Sequence, residues 1–142
     1  MTSIDPAMQP RIDMVVSDPA TGKPRRRVEY SGTVWLGGRP QVTGRMIINS
    51  GQWIKDLPPF FLPDSLPYKR DAVADGAVAV TVAIQSAPDH VTVHDARAAF
   101  GDDPGVPGRC WVQLAIAASG RGPLGISYRA VAITSPDAVD GA

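Results

Sequence analysis

The feature that most constrains how this chain can fold is an alternation of apolar and polar side chains, which recurs in several separate segments. Apolar residues at every second position are typical of a half-buried β-strand, because successive side chains of a strand point to opposite faces of the sheet. The most regular example begins at Arg27, where the apolar side consists of Val28, Tyr30, Val34 and Leu36. The sequence therefore predicts a β-strand here, in a sheet with one buried face.

Further segments with this period, separated by turn-forming residues, predict about seven strands in all. After the first strand, the predicted strands are residues 42–48, 51–55, 77–84, 90–96, 110–116 and 124–134. Helix formers are scarce, since Glu29 is the only glutamate, whereas the 142 residues include 14 glycines and 14 prolines. Short strands bury their apolar faces by stacking two sheets, so we predict an all-β fold, an antiparallel β-sandwich or jelly roll.

The two ends and one internal stretch lack this alternation. Residues 1–26 contain four prolines and little periodicity, so we predict an extended N-terminal arm before a sandwich domain at residues 27–135. Within that domain, residues 56–75 carry four further prolines and predict an extended, polyproline-like crossover. Residues 136–142 are predicted to form a C-terminal tail.

The arm has too few apolar groups to keep one conformation on its own, so we expect neighbouring subunits to hold it, and we expect the same of the tail. The two phenylalanines of the crossover either fold back to close one end of the sandwich or stay exposed until a partner covers them. The residues predicted to bind a partner are Ile4, Met8, Ile12, Met14, Val15, Arg25, Arg26, Arg27, Phe60 and Phe61.

The charge balance of the chain argues against some classes of partner. Fourteen basic side chains balance 14 acidic ones, so no overall field attracts nucleic acid or an anionic membrane, and neither is expected as a partner. One basic cluster, residues 23–27, lies where the arm meets the first strand. It is either a solvated junction or a contact for an acidic neighbouring subunit or for nucleic acid.

Residue types that carry catalysis or bind metals do not occur in an interpretable pattern. Cys110 is the only cysteine, which excludes an internal disulfide and a multi-cysteine zinc site. On a strand, His90 and His94 would lie ~13 Å apart, too far to share one metal ion. Neither histidine has an identifiable orienting partner for a catalytic triad. We therefore expect a protein that is not an enzyme and needs no metal or cofactor.

The sequence also lacks signals for export or membrane insertion. No stretch of ~18 apolar residues occurs, and residues 1–10 lack the basic start and apolar stretch of a signal peptide. We expect the chain to be made in the cytoplasm and to have no contact with a membrane.

Several aromatic residues are candidates for an exposed binding surface. Trp35 and Trp111 are out of phase with the core-facing residues around them. Aromatic side chains on an outward sheet face favour a subunit interface or a platform on which sugar rings stack. The residues predicted to stack sugar rings are Trp35, Trp53, Tyr68 and Trp111.

Three segments in order resemble virion structural proteins of tailed phages. They are Gly-Thr-Val-Trp-Leu at 32–36, the Leu-Pro to Leu-Pro crossover at 57–67, and Gly-Ile-Ser-Tyr-Arg at 125–129. Their order is similar to that of β-sandwich domains in tail tips and fibres, and the resemblance spans residues 30–134. It implies a structural protein located in the virion. Because the chain has no heptad repeat or long shaft, a capsid-decorating or tail-associated subunit fits the resemblance as well as a fibre tip.

These observations predict a non-enzymatic assembly protein that docks on other virion proteins and on copies of itself through its arm and crossover. The alternative is a tail-tip module that binds a glycan or another host receptor through exposed aromatic side chains. The arm hypothesis requires that the ends are not held by their own sandwich alone.

Overall fold

The computed structural model describes residues 2–4, 11–37, 41–43, 46–48, 59–62, 64–87 and 90–140. Its described part consists almost entirely of β-strands, which confirms the predicted all-β sandwich. The strands are β1 (Thr2–Ile4), β2 (Arg11–Ser17), β3 (Pro24–Leu36), β4 (Gln41–Thr43), β5 (Met46–Ile48), β6 (Phe60–Phe61), β7 (Tyr68–Lys69), β8 (Ala77–Ser86), β9 (Thr92–Asp102), β10 (Arg109–Ser119) and β11 (Leu124–Thr134). A 3-10 turn, Arg70–Ala72, precedes β8.

The strands form two antiparallel sheets and a separate hairpin. In the first sheet, β11 lies between β3 and β8 and pairs with both. The other edge of β3 pairs with β2 along its first half and with β1 at its end. In the second sheet, β10 pairs with β9 on one side and with β6 and β7 on the other. The hairpin consists of β4 and β5.

The core lies between the two sheets and follows the predicted alternation. The apolar side of β3 is buried and packs against inward-facing side chains of β10 and β11. The largest fully buried apolar side chains are Tyr30, Tyr68, Leu36, Leu62, Leu114, Leu124, Ile126, Val28, Val34 and Val112. The period of two therefore identified the buried face of β3 correctly.

The predicted second strand, residues 42–48, does not return beside the first. It is divided into β4 and β5, which pair with each other. The physical reason is that both edges of β3 are already occupied, one by β11 and the other by β1 and β2. The strand predicted for residues 51–55 lies outside the described residues.

The predicted arm, residues 1–26, contributes two strands to the first sheet. β2 and β3 form a hairpin whose turn is closed by the Asp18 amide, which donates to the Lys23 carbonyl at 2.8 Å. Gly22 in this turn has a φ of +71°, which glycine adopts without strain. The expectation that neighbouring subunits order the arm is corrected for Arg11–Ser17, because backbone hydrogen bonds to β3 hold this segment without a large apolar core.

The predicted tail, residues 136–142, is described as far as Asp140 and packs on its own sandwich. Ala138 and Val139 are buried in the core. The Asp140 amide donates to the Pro67 carbonyl at 2.8 Å, and the Asp140 carboxylate accepts a hydrogen bond from Arg109 at 3.2 Å. This segment therefore covers part of the core and does not need a neighbouring subunit to order it.

The described part of the proline-rich crossover, residues 59–62 and 64–75, contacts β10 in short pieces. β6 and β7 pair with β10 at separate points. Between them, the Leu62 amide donates to the Val112 carbonyl at 3.0 Å, and the Val112 amide donates to the Ser65 hydroxyl at 2.9 Å. Proline has no backbone N–H to donate to a neighbouring strand, so the pairing with β10 is interrupted. The Ser65 hydroxyl accepts the hydrogen bond from the Val112 amide in its place.

Candidate docking surface

Large exposed apolar side chains are concentrated on β2. Ile12, Met14 and Val15 are 51%, 42% and 66% exposed. Among the described residues, the other large hydrophobic side chains with comparable exposure are Ile84 and Val106, which lie on different elements. β2 pairs with β3 along one edge, and no described strand pairs with its other edge. Exposed apolar groups and an open strand edge therefore coincide on the same seven residues.

Two polar contacts fix β2 in place. The guanidinium of Arg26 on β3 donates to both carboxylate oxygens of Asp13, at 3.0 and 2.5 Å. This contact holds the pKa of Asp13 below its usual range and raises the pKa of Arg26. At the start of the strand, Arg11 donates to the Asp64 carbonyl in the crossover at 2.9 Å. β2 is thus held on the sandwich while the side chains of Ile12, Met14 and Val15 remain exposed to solvent.

The three arginines predicted to bind a partner are each paired within the chain. Arg25 donates to the Asp75 carboxylate and to the Asp75 carbonyl, both at 3.0 Å. Arg26 makes the contact with β2, and Arg27 contacts the Glu29 carboxylate. Because an intramolecular carboxylate accompanies each guanidinium, this arrangement favours a junction over a contact for a partner. The three guanidinium groups are held by ion pairs within the chain and are less solvated than the sequence predicted.

The outer face of the first sheet is polar beside β2. The Glu29 carboxylate accepts a hydrogen bond from Arg129 on β11 at 2.8 Å and also contacts Arg27. The hydrogen bond from Arg129 and, to a smaller extent, the contact with Arg27 hold the pKa of Glu29 below its usual range. On β8, the side chains that share this face are small, and they are Ala77, Ala79, Thr81 and Ala83. The large exposed hydrophobic side chains described on this sheet are therefore concentrated at its β2 edge, with Ile84 on β8 as the exception.

Of the four aromatic residues predicted to stack sugar rings, Tyr68 does not present its ring to solvent. Tyr68 is fully buried, and its hydroxyl lies 2.8 Å from the hydroxyl of Tyr30. Pairing of β7 with β10 turns the Tyr68 side chain into the core, so a sugar cannot reach it. Trp53 lies outside the described residues.

Trp35 and Trp111 are half-buried, and each is engaged by its own chain. The Trp111 indole donates to the Asp103 carboxylate at 2.8 Å, and the guanidinium of Arg109 lies 5.9 Å from the ring centroid. Trp35 lies across Gly125 of β11, to which it is paired in register. A methyl group at Gly125 would lie 2.7 Å from the Trp35 ring. Both indoles therefore cover their own sheets.

Replacing Gly125 by alanine should lower the free energy of unfolding by roughly 1–3 kcal/mol, because the new methyl group collides with the Trp35 ring. In a Trp35→Ala background the same substitution should have a much smaller effect, since the space is then vacant. Chemical denaturation of the wild type, both single variants and the double variant measures this coupling. An equal loss in the two backgrounds would contradict the packing of Trp35 on Gly125.

The crossover phenylalanines contribute to the sandwich itself. Phe60 is half-buried and packs against both core clusters, and the Phe61 ring approaches Gly101 of β9. This supports the predicted packing on the sandwich for Phe60 only, which is paired with the buried Leu114. Phe61 is paired with Gln113 and therefore lies on the opposite face of the second sheet, away from the core. Of the remaining residues predicted to bind a partner, Ile4 is described only through the pairing of β1 with β3, and Met8 lies outside the described residues.

The described residues contain no group of three or more histidine, cysteine, aspartate or glutamate side chains that could hold a metal ion. His94 contacts the Ser119 hydroxyl at 3.0 Å. Cys110 is buried, and burial raises the pKa of its thiol. In the part of the chain that the structure covers, no helix is long and apolar enough to span a membrane.

Comparisons with protein-family models, with curated proteins and with solved structures find no match to this chain. Its function must therefore be inferred from the surface that the chain itself presents.

Proposed function

We propose that this chain is a non-enzymatic structural subunit that assembles through the outer edge of β2. The observation that carries this proposal is the exposure of Ile12, Met14 and Val15 on a strand whose outer edge has no partner among the described residues. Fully burying one such side chain stabilises an assembly by about 1.5–3 kcal/mol. Clustered exposed apolar groups are typical of interaction surfaces.

The N-terminal segment enters this proposal differently from the sequence-based expectation. Its described part is ordered by β3 and is not a free tether between subunits. A partner is needed to cover the outer edge and the exposed side chains of β2. The crossover has a smaller role, since Phe60 already packs against the core and Phe61 lies beside Gly101 on the outer face of the second sheet.

The assembly that we propose is a tailed-phage particle, in which the chain is a capsid-decorating or tail-associated subunit. This proposal is supported by the resemblance of residues 32–36, 57–67 and 125–129 to virion β-sandwich domains. Its partners are other virion proteins and copies of itself. The glycan-binding alternative has less support, because the described aromatic candidates are either buried or engaged by their own chain.

Particle association tests the virion role. An antiserum raised against the purified chain is used to probe density-gradient fractions of particles released from the cells that produce it. We expect the chain to sediment with the particles and to remain bound through a high-salt wash, because apolar contacts are not screened by salt. Detection of the chain only in fractions without particles would contradict the virion role.

A charge placed on β2 tests the docking surface. Val15→Lys should preserve the fold, because Val15 is largely exposed, and should abolish incorporation into particles. Thr81→Lys is a matched control on the opposite edge of the same sheet and should be incorporated at the wild-type level. Circular dichroism verifies that both variants fold. Wild-type incorporation of Val15→Lys would contradict the assignment of β2 as the docking surface.

A further inference from the structure

β2 has a regular outer edge. Its seven residues pair with Pro24–Tyr30 of β3 without a bulge, and the strand contains neither proline nor glycine. Such an edge presents a row of backbone N–H and C=O groups to any strand that aligns with it. Natural edge strands are usually protected by charges, prolines or bulges, and residues 14–16 have none of these.

Exposed apolar side chains lie on both faces of β2. Met14 and Ile12 share the outer face with Arg27 and Glu29 of β3, to which they are paired in register. Val15 points to the opposite face, because side chains alternate along a strand. A partner resting on one face of the sheet would leave one of these groups in water. A strand added to the edge contacts both faces, so the observed exposure fits an added strand.

The other outermost strand of the first sheet, β8, is a poorer candidate. Its inward side chains Val78, Val80 and Val82 already pack against the core. Its outward side chains are alanine and threonine, and Ile84 is the one large exposed hydrophobic side chain described on β8. The apolar surface that a further strand would cover is therefore concentrated on β2.

The sequence of β2 is complementary to a second copy of itself. In an antiparallel pair around a two-fold axis at Met14, all seven residues find partners and no two charged residues are opposed. The opposing pairs are Arg11 with Ser17, Ile12 with Val16, Asp13 with Val15, and Met14 with Met14 of the other copy. An axis at Asp13 or at Arg11 would oppose like charges, which is destabilising. An axis at Ile12 or Val15 would leave part of β2 unpaired.

We infer that a second copy of this chain covers β2, and that the two strands pair antiparallel about a two-fold axis at Met14. The first sheets of the two subunits then join into one continuous sheet. Ile12 of each copy packs against Val16 of the other on the outer face. This inference rests on the proposed function, in which β2 is the docking surface. It adds that the partner of β2 is an identical chain.

Cysteine crosslinking of the purified full chain tests this register. Residue 14 of one copy lies opposite residue 14 of the other, and the ~4.5–5.5 Å between opposed Cα atoms suits a disulfide. Met14→Cys should therefore form a covalent dimer under mild oxidation. Val15→Cys is the matched control, because residues 15 of the two copies are diagonal, about 7–8 Å apart, and should not crosslink. The wild type should remain uncrosslinked, since its Cys110 is buried.

A mixing experiment tests the same geometry at the ends of the strand. Chains carrying Ile12→Cys and chains carrying Val16→Cys should crosslink when mixed, because these positions are opposed. Neither variant should crosslink with itself, because four residues of strand rise, ~13 Å, separate the two thiols. Crosslinking of Val15→Cys without crosslinking of Met14→Cys would overturn the proposed register.

Sedimentation of the unmodified chain tests the pairing without cysteine substitutions. The wild type should have the mass of two 15.0 kDa chains. Met14→Lys should be monomeric, because two ammonium groups would face each other at the axis, whereas Thr81→Lys should remain dimeric. A monomeric wild type at every protein concentration examined by sedimentation would overturn the inference.

These outcomes separate the pairing of β2 from the virion role. A chain that crosslinks through residue 14 but never enters particles would remove the virion role and leave the pairing intact. A chain that enters particles yet stays monomeric and uncrosslinked would remove the pairing and leave the virion role intact.

Discussion

Replacing Tyr68 by alanine should lower the free energy of unfolding by about 3–5 kcal/mol, as expected for the loss of a large buried aromatic side chain. The Tyr68 ring is fully buried and packs edge to face against Phe100, with ring centroids 5.1 Å apart. It belongs to the core cluster that joins β3, β10 and β11. Its removal would leave a cavity between the two sheets, which the surrounding strands can fill only in part.

The hydroxyl of Tyr68 should matter less than its ring. Tyr68→Phe removes one partner of the hydrogen bond to Tyr30 and should cost about 0.5–1.5 kcal/mol. Tyr30→Phe should cost more, about 1–3 kcal/mol, because the buried Tyr30 hydroxyl also accepts a hydrogen bond from the Leu66 amide at 3.2 Å. Urea denaturation of these variants measures all three losses. A Tyr68→Ala loss no greater than that of the exposed control Thr81→Ala would contradict the placement of Tyr68 in the core.

The sequence was sufficient to predict the fold class and the core side of the principal strands. β3 and β11 alternate over many residues, and a pattern of that length identifies both the strand and its buried face. The burial of Val28 and Val34 could be predicted without knowing which strands pair with β3, because it depends only on the alternation of side chains along the strand.

The proline and apolar content of residues 1–26 was not sufficient to predict β2. Residues 11–14 alternate between charged and apolar side chains, and Asp18, Pro19 and Gly22 are typical turn residues. The four prolines of residues 1–26 nevertheless favoured an arm. An edge strand is stabilised mainly by backbone hydrogen bonds to its neighbour, and these leave little trace in the apolar content of a segment.

The contacts of the predicted binding residues depend on register and topology. Arg26 meets Asp13 across a hairpin, and Arg25 meets Asp75 fifty positions later in the chain. The local sequence identifies the cluster of arginines. It does not indicate which carboxylates will lie beside them, because that depends on how the strands pair. Tyr68 is buried for the same reason, since its orientation follows from the pairing of β7 with β10.

The stability of the fold should fall steeply as the pH rises above about 10, where free tyrosine ionises. All three tyrosines of the chain, Tyr30, Tyr68 and Tyr128, are buried, and burial raises the pKa of each. The unfolded chain loses these protons near pH 10, whereas the folded chain retains them. Stability is therefore fully present below pH 10 and is lost above it, by about 1 kcal/mol between pH 10 and 11 for each of Tyr68 and Tyr128, whose pKa values are raised furthest.

Tyr128 provides the control that assigns this loss to tyrosine ionisation. Its hydroxyl is buried and has no hydrogen-bond partner among the residues that the structure covers, so Tyr128→Phe should maintain or increase stability at neutral pH. Between pH 10 and 11 the variant should lose about 1 kcal/mol less than the wild type. Urea denaturation at pH 8, 10 and 11 measures these losses, and tyrosinate absorbance reports the ionisation. Identical losses in both proteins would mean that Tyr128 ionises at the same pH in the folded and unfolded states, which contradicts its burial between the sheets.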